Sequence, residues 1–352
     1  MLILGIETTC DETSAAVVRD GREVLSNIVS SQIDLHAKFG GVVPEIAARA
    51  HLESLNAIVA EALTTAGITN PQSQLDAVAV SHCPGLIGCL LVGVAAAKGF
   101  AFAWQKPLIP VNHVQAHLYS VFLHDPDSTS SSNSQFTVPN SLFPAIGLVM
   151  SGGHSSLYHV HAFDHLVRIG QTQDDAVGEA FDKVAAILQL GYPGGPLIDQ
   201  LAQQGNDRAI PFPLALLAKD SLDFSFSGIK TSVLYHVNGK KGRERDASSL
   251  TPQQKADVAA SFQRSAAEML IEKLRRAAAR FETRSLIIGG GVSANSTIRR
   301  RVLELGTHLH LPVFIPPMRY CTDNAAMIAG LAHRLLLAGK IATLALETIA
   351  TV

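Results

Sequence analysis

The chain has 352 residues, a length that favours two domains, and its 47% hydrophobic and 16% charged residues exclude a disordered protein. Its 28 basic and 30 acidic side chains give a net charge of −2, so a nucleic acid would have to be held by a local patch or with the help of other proteins. The four cysteines form no CxxC pair, and the first residues lack the basic start of a signal peptide, so we expect a reduced, cytoplasmic setting.

The predicted elements form two kinds of unit, and each kind occurs twice. A strand at residues 2–7, a polar turn and a strand at 14–19 form a β-hairpin, and a similar hairpin follows at 145–160. The second kind is a strand, a glycine loop and a helix, at residues 75–104 and again at 285–305. This repetition predicts two duplicated lobes, and the alternation of strands and helices predicts mostly parallel sheets with helices on both faces.

Residues 85–104 are almost as long and apolar as a membrane span. Lys98 lies inside this stretch, Pro84 precedes it, and no basic loops flank it, which argues against a span. We therefore expect a buried helix behind a glycine loop.

Two histidines, His113 and His117, are spaced four residues apart and would share one face of a helix. Imidazole is a common ligand of zinc and iron, and Asp323 at the start of a later helix could add a carboxylate. Two histidines and one carboxylate leave coordination positions open for a substrate. The residues alone leave two alternatives open: the histidines could be ordinary helix residues, and Asp323 could be a helix N-cap. The HExxH glutamate is absent, which argues against a metalloprotease.

Three glycine clusters favour a bound nucleotide, because glycine lets the backbone approach a phosphate closely and helix starts offer N–H groups. The clusters are Gly152-Gly153 in a hairpin turn, Gly194-Gly195 in a loop, and Gly289-Gly290-Gly291 between a strand and a helix. The sequence contains neither a GxxxxGK[ST] P-loop nor a GxGxxG after a strand. Acids such as Asp182 lie near these loops, although an amphipathic helix start would explain Asp182 equally well.

Nine motifs, in order from Leu2 to about Leu337, resemble those of the tRNA N6-adenosine threonylcarbamoyltransferase (TsaD) family: GIETTCDETSAAVV, HAKFGGVVPEIAARAH, NHVQAHLYS, LVMSGGHSSL, GEAFDK, GYPGGP, DFSFSGIKT, GGGVSAN and CTDNAAMIA. Cys83 departs from the family pattern, in which a glycine is expected before Pro84, and a serine-rich insertion adds length.

The resemblance implies a two-lobed actin-like ATPase (ASKHA) fold with duplicated mixed sheets, helices on both faces and the active site between the lobes. Residues 1–119 with 322–352 would form the N-terminal lobe, and residues 120–321 the C-terminal lobe, with the insertion at 125–141.

The resemblance also implies one divalent metal, with iron favoured and zinc possible, bound by His113, His117 and Asp323. It implies contacts to threonylcarbamoyl-AMP or an adenine nucleotide from Val149, Met150, Ser151, Gly152, Gly153, Asp182, Gly195, Asp199 and Asn295. For removal of the amine proton, His154 and Glu12 are candidates by position alone.

The implied reaction moves the threonylcarbamoyl group from threonylcarbamoyl-AMP to N6 of the tRNA adenosine next to the anticodon, in tRNAs reading codons that begin with A. The implied partners are tRNA, a small paralogous TsaB-like subunit, a P-loop ATPase of the TsaE type and a TsaC-like enzyme that supplies the adenylate. Two other classes remain: a small-molecule phosphotransferase of the same superfamily, and a non-catalytic assembly subunit. A scaffold would not need three metal ligands, and a phosphotransferase would not need the histidine pair.

Overall fold

The structure, a computed structural model, describes residues 1–126, 140–215, 217–239 and 246–351. The chain forms two compact units. Unit 1 contains residues Met1–Asn140, Ala162–His165 and Pro316–Val352, and unit 2 contains Ser141–His161 and Leu166–Ile315.

The lobe boundaries expected after residues 119 and 321 lie within unit 1. Tyr320 donates a hydrogen bond of 2.7 Å to Asp125, and both residues belong to unit 1. The expected lobe boundaries stay a prediction. The described residues do not include most of the expected serine-rich insertion. They also do not include residues 240–245, which belong to a polar stretch at residues 238–251.

Unit 1 contains a mixed five-stranded sheet in the order β3-β2-β1-β4-β5. Strands β1 to β3 form an antiparallel meander, whereas β4 and β5 join β1 in parallel. The strands of this sheet are β1 (Leu2–Glu7), β2 (Glu12–Arg19), β3 (Glu23–Ser31), β4 (Ala77–Cys83) and β5 (Leu108–Asn112).

The second sheet repeats this arrangement, in the order β8-β7-β6-β9-β10. Strand β6 is antiparallel to β7 and parallel to β9, as β1 is to β2 and β4. The predicted duplication is confirmed, but the sheets are mixed rather than mostly parallel, because each hairpin adds antiparallel pairs. The strands are β6 (Ala145–Met150), β7 (Ser155–Ala162), β8 (His165–Gln171), β9 (Ser285–Gly289) and β10 (Val313–Phe314).

Eleven α-helices are present among the described residues. Unit 1 contains α1 (Ile33–Ala37), α2 (Pro44–Thr65), α3 (Pro71–Gln74), α4 (Ile87–Trp104), α5 (His113–Tyr119) and α11 (Ala325–Leu337). Unit 2 contains α6 (Val177–Ile187), α7 (Gly194–Ala202), α8 (Ser227–Asn238), α9 (Pro252–Arg280) and α10 (Ser296–Leu309).

Helices cover both faces of the first sheet. Successive residues of a strand point to opposite faces, so β1 contacts helices on each side. Leu4 and Ile6 of β1 pack in one buried cluster with α2 and α4. Gly5, between them, points to the other face, where a Cβ atom would lie 2.4 Å from the Ala325 carbonyl oxygen of α11. A side chain at position 5 would therefore push α11 away from the sheet.

Helix α4 is the one helix in the described ranges that is long and apolar enough to cross a membrane by length and composition. The core helices of folded proteins can be equally long and apolar. Leu90 and Val94 are buried on its inner face, whereas Leu91 and Phe102 are 55% and 72% exposed. The expectation of a buried helix thus holds for the inner face only, and the apolar residues on the other face of α4 are exposed.

Candidate metal centre and ligand-binding turns

The histidine pair lies at the junction between β5 and α5. Asn112 ends the strand and caps the helix, since its side-chain oxygen accepts a hydrogen bond of 3.0 Å from the Gln115 N–H group. The helix therefore begins at His113, and His117 follows one turn later on the same face. Their ring centroids are 4.7 Å apart, and both side chains are buried.

Asp323 is held beside these histidines by the start of α11. The N-cap of this helix is Asn324, whose side chain accepts from the Met327 N–H group at 3.1 Å, so Asp323 is not the cap. The Ala325 N–H group donates to Ser14 Oγ at 2.9 Å, which fixes the helix start against β2. Asp323 is thereby placed beside α5, with its side chain 20% exposed.

The three predicted ligands converge. Asp323 Oδ1 lies 3.1 Å from His117 Nε2 and 3.6 Å from His113 Nε2, and the potential ligand atoms of all three residues lie within 4.8 Å of one another. Bonds of about 2.0–2.2 Å from one cation to each ligand produce separations of this size. The group can hold a single metal ion with positions left for substrate oxygens.

His113 has a second partner behind it. Its Nδ1 atom lies 2.9 Å from Glu7 Oε2, and Thr9 Oγ1 lies 3.2 Å from the same nitrogen. Burial opposes the charged imidazolium, but the carboxylates of Glu7 and Asp323 outweigh it and raise the pKa of His113 to about 9. The site thus attracts positive charge, which a metal ion would supply in place of the proton.

His117 lacks such a partner within the described part of the chain. Both of its ring nitrogens are buried without a hydrogen bond, although Nε2 lies 3.1 Å from Asp323 Oδ1. A buried polar atom without a partner costs about 1–3 kcal/mol. The residues therefore fit a metal ion, because coordination would satisfy Nε2 of this ring.

Further acids surround Asp323. Burial raises the pKa of the Glu12 carboxyl well above its usual range, and the carboxylates of Asp323 and Asp11 raise it further. Burial and the neighbouring Asp11 also raise the pKa of the Cys10 thiol. The thiol therefore stays protonated and is unsuited as a thiolate ligand, while the dense negative charge favours a cation.

The turn between β1 and β2 is anchored by a buried histidine, His51, that ends the HAKFGGVVPEIAARAH motif. Its Nε2 atom donates to the Cys10 carbonyl oxygen at 2.9 Å, and Thr13 Oγ1 lies 2.8 Å from its Nδ1 atom. The Gln32 N–H group donates to the Asp11 carbonyl oxygen at 3.0 Å. Burial lowers the pKa of His51, which keeps the ring neutral and able both to donate and to accept.

Sequence reasoning missed Glu7 and Thr9 as partners of His113, and His51 as the anchor of this turn. The available signal was weak: Glu7 is an acid at the end of an otherwise apolar strand. The residue that it contacts lies 106 positions further along the chain, so spacing alone could not reveal the pair.

In unit 2 the predicted ligand-binding turn joins β6 and β7. The Ser151 N–H group donates to the His154 carbonyl oxygen at 2.8 Å, which closes the turn. Val149 and Met150 of β6 are fully buried, backbone included, so in this structure neither residue presents a surface to a ligand.

The glycines of the unit 2 loops fall into two groups. Gly290 has φ +88°, and a Cβ atom there would lie 2.3 Å from the Met150 carbonyl oxygen, so packing requires glycine. At Gly178 a Cβ atom would lie 2.6 Å from the Ser151 carbonyl oxygen, so the start of α6 also packs against the turn. By contrast, a Cβ atom at Gly152, Gly153 or Gly195 would have no neighbour within 4 Å. Neither packing nor a positive φ explains these three glycines, which leave open space for a ligand.

The predicted polar residues of unit 2 hold these loops in place. Asp182 Oδ1 accepts from the Gly194 N–H group at 2.7 Å, and Asp199 accepts from the N–H and Oγ of Ser296 at 3.0 and 2.7 Å. Asn295 caps α10, accepts from the Ile298 N–H group at 3.0 Å and donates to Gln263 at 2.8 Å. These three side chains have structural partners, and the open glycines lie on the loops that they hold.

Sequence reasoning also missed a salt-bridge cluster that joins the GEAFDK and DFSFSGIKT motifs. Asp175 lies 2.7 Å from Lys183 Nζ and 2.6 Å from Lys230 Nζ. Burial opposes ionisation of Asp175, but the two ammonium groups outweigh it and lower the pKa of its carboxyl. Asp174 beside it accepts from Ser225 Oγ at 2.5 Å, so these acids fix α8 next to α6.

Solved structures share this fold at low sequence identity. The chain matches full-length HypF in a phosphate- and nucleotide-bound form with a TM-score of 0.57 and 13% identity, over 97% of this chain and 47% of that one. It matches component A of the (R)-2-hydroxyglutaryl-CoA dehydratase of Acidaminococcus fermentans with a TM-score of 0.52 and 15% identity, over 95% and 98% of the chains. The protein is an α/β protein of the actin-like ATPase fold class with a candidate metal centre in unit 1.

Sequence relatives define the family. The model of the tRNA N6-adenosine threonylcarbamoyltransferase family (TsaD) matches residues 23–330. A relative of that name from Moorella thermoacetica is 48% identical over 349 residues, which are 99% of this chain and 95% of the relative. Another, from Anaeromyxobacter dehalogenans strain 2CP-C, is 50% identical over 96% of this chain and 95% of its own. The chain belongs to the tRNA N6-adenosine threonylcarbamoyltransferase family, and the resemblance found in the sequence is confirmed.

Proposed function

We propose that this chain transfers a threonylcarbamoyl group from threonylcarbamoyl-AMP to N6 of the adenosine at position 37, next to the anticodon, in tRNAs that read codons beginning with A. The observation that carries the proposal is the convergence of His113, His117 and Asp323 within 4.8 Å in a chain of this family. Neither a phosphotransferase nor a scaffold would need these three potential metal ligands.

The chemistry explains why such a group is useful. The exocyclic amine of adenine is a poor nucleophile, so the acyl donor must be activated as a mixed anhydride with a phosphate leaving group. When bound, a divalent cation acts as a Lewis acid that offsets negative charge on donor oxygens. Two imidazoles and one carboxylate are the ligand set of non-haem Fe(II) sites and also suit zinc. We propose iron as the native metal.

The glycine loops of unit 2 are proposed to bind the adenylate or another adenine nucleotide. Open space over Gly152, Gly153 and Gly195 lets phosphate or adenosine approach the backbone closely. Gly195 lies in the first turn of α7, whose N–H groups favour an anion. Ser151 would add a contact at the start of the turn, and the buried Val149 and Met150 would act by holding the strand that carries it. Asp182, Asp199 and Asn295 would act mainly by holding these loops in position.

The proposed partners follow from the reaction and the charge. The substrate is tRNA, and a net charge of −2 supports help from other proteins in holding it. We propose a small TsaB-like paralogue and a TsaE-like P-loop ATPase as those proteins, and a TsaC-like enzyme as the source of the adenylate. None of the four cysteines, all within the described residues, forms a disulfide, which fits the proposed cytoplasmic location.

The test is reconstitution with threonylcarbamoyl-AMP, unmodified tRNA and the candidate partners, followed by mass spectrometry of the nucleosides. We expect threonylcarbamoyl-adenosine in a time-dependent amount that requires this chain. ATP-dependent phosphorylation of a small alcohol that is unaffected by chelators, with no modified adenosine, would instead identify a phosphotransferase.

A further inference from the structure

Glu7 is a fully buried carboxylate that none of the sequence-predicted roles explains. It is the last residue of β1, and its side chain is 0% exposed. One oxygen, Oε1, accepts from the Thr9 N–H group at 2.6 Å, and the other, Oε2, lies 2.9 Å from His113 Nδ1. A buried carboxylate costs several kcal/mol unless it is well compensated. Here two donors compensate it, one on each oxygen, an arrangement that an amide with a single oxygen could not provide.

We propose that Glu7 is a positioning residue of the metal centre, which fixes the proton of His113 on Nδ1 so that Nε2 is directed to the cation. An ionised carboxylate only accepts hydrogen bonds, so the ring nitrogen facing Glu7 must carry the hydrogen. The opposite nitrogen, Nε2, lies 3.6 Å from Asp323 Oδ1 on the side of the proposed ion. This inference rests on the proposed metal site and adds the residue that orients one of its ligands.

The charges of the group support an acid at this position. Two neutral imidazoles, the Asp323 carboxylate and the Glu7 carboxylate together carry two negative charges. One divalent cation would balance these two charges, and glutamine at position 7 would remove one of the carboxylates that offset it.

The two histidine ligands differ in how they are held. His113 is fixed from behind by Glu7, with Thr9 Oγ1 at 3.2 Å from the same nitrogen. His117 has neither ring nitrogen hydrogen-bonded to the described residues. Glu7 therefore sets the orientation of the histidine at the β5–α5 junction. The histidine one turn later faces Asp323 Oδ1 at 3.1 Å from Nε2 and has no such partner behind it among the described residues.

The direct test uses Glu7→Gln, which keeps the size of the side chain and removes its charge. Glutamine offers one oxygen to two donors, so either Thr9 N–H or His113 Nδ1–H would face an amide nitrogen. We expect the affinity for zinc, measured by competition with a chromogenic chelator, to fall by about 10- to 100-fold. The matched control is Asp76→Asn, because Asp76 accepts from the Leu2 N–H group at 2.6 Å at the other end of the same strand. Its zinc affinity should equal that of the wild type.

A second readout reports on the position of the proton. In ¹⁵N spectra of the zinc-loaded wild type, we expect His113 to carry its proton on Nδ1 and zinc on Nε2. In Glu7→Gln this Nδ1–H signal should shift or broaden, while the far-ultraviolet circular dichroism stays that of the folded protein. The wild-type spectrum tests the proposal even if the variant does not fold, since zinc on Nδ1 would overturn it.

The outcomes separate the two proposals. A wild type that binds no zinc would remove the proposed metal site itself. A wild type that binds zinc, with Glu7→Gln equal to it in affinity and in the His113 signal, would leave the metal site intact and remove only the role of Glu7.

Discussion

The two hairpin turns occupy equivalent places in two sheets of the same strand order, yet one is filled by protein side chains and the other is open. In unit 1 the turn after β1 is filled: Thr8 Oγ1 donates to the Cys89 carbonyl oxygen at 3.0 Å, and Gly93 of α4 makes room for it. In unit 2 the turn after β6 is open at Gly152 and Gly153. The duplicated hairpin thus provides a protein-filled support for metal ligands in one copy and a space for a ligand in the other.

The largest expected effect comes from removing a metal ligand next to the filled turn. In His113→Ala the remaining two ligands would bind a cation poorly, and Lewis-acid stabilisation worth several kcal/mol would be lost. We expect tRNA modification to fall at least about 100-fold, with an unchanged circular dichroism spectrum. Normal tRNA modification by the folded variant would show that the reaction does not need the metal ligands beside the filled turn.

Substitutions in the open turn should weaken ligand binding without lowering the stability of the fold. Alanine and then valine at position 153 would fill increasing amounts of the space that we assign to the adenylate. We expect nucleotide or adenylate affinity, measured by calorimetry, to fall progressively, by about tenfold or more for Gly153→Val, which corresponds to a loss of about 1.4 kcal/mol of binding free energy. The melting temperature should change little. Equal affinities across the series would show that the space is not used.

Gly290 provides the counterpart in which packing, not a ligand, requires glycine. Its φ of +88° and the 2.3 Å approach to the Met150 carbonyl oxygen make any side chain strained. We expect Gly290→Ala to lower the free energy of unfolding by about 2 kcal/mol or more, measured by urea denaturation. A fully stable Gly290→Ala would show that the loop adjusts easily, and the distinction between packed and open glycines would then fail.

The last effect concerns the pH dependence of stability and a buried lysine that anchors a loop of unit 2. Lys273 of α9 is buried and donates to the Ser221 carbonyl oxygen at 2.7 Å. Burial, with a contribution from Arg276, lowers the pKa of Lys273 to about 8. An unfolded lysine has a pKa of about 10.4, so between these values the unfolded chain binds more protons and stability rises with pH.

The measurement is the urea midpoint of the wild type and of Lys273→Met at pH 8 and pH 10. The variant should lack the part of the pH dependence that Lys273 contributes, so the difference between the two proteins should shift in favour of the wild type as the pH rises. Parallel pH profiles would show that the Lys273 pKa is the same in the folded and unfolded chains.

Local patterns in the sequence predicted the duplicated hairpins, the strand–glycine loop–helix units and the histidine pair, because each depends on residues close together in the chain. The residues offered Asp323 as a third ligand but left a helix N-cap as an open alternative, and the family resemblance implied the ligand. Asn324 is the cap in the structure, which resolves that alternative. The contact between Glu7 and His113 depends on the pairing of strands far apart in sequence, so no spacing could predict it.

Two other features show the same limit. The expected contact of Asn295 with a substrate stays a prediction, whereas the sequence did not show that its side chain caps α10 and contacts Gln263, a residue of another helix. Helix α4 was expected to be buried, but an apolar composition on both faces does not tell which face packs. Only the position of the sheet and of α2 decides that Leu90 is buried and Leu91 is exposed.

Metal analysis of the wild type and of the three single alanine variants at His113, His117 and Asp323 tests the central claim most directly. The account predicts about one divalent metal per folded wild-type chain, and a small fraction of that in each variant, because a site of three ligands loses most of its affinity with any one of them. Full metal content in all three folded variants would contradict it.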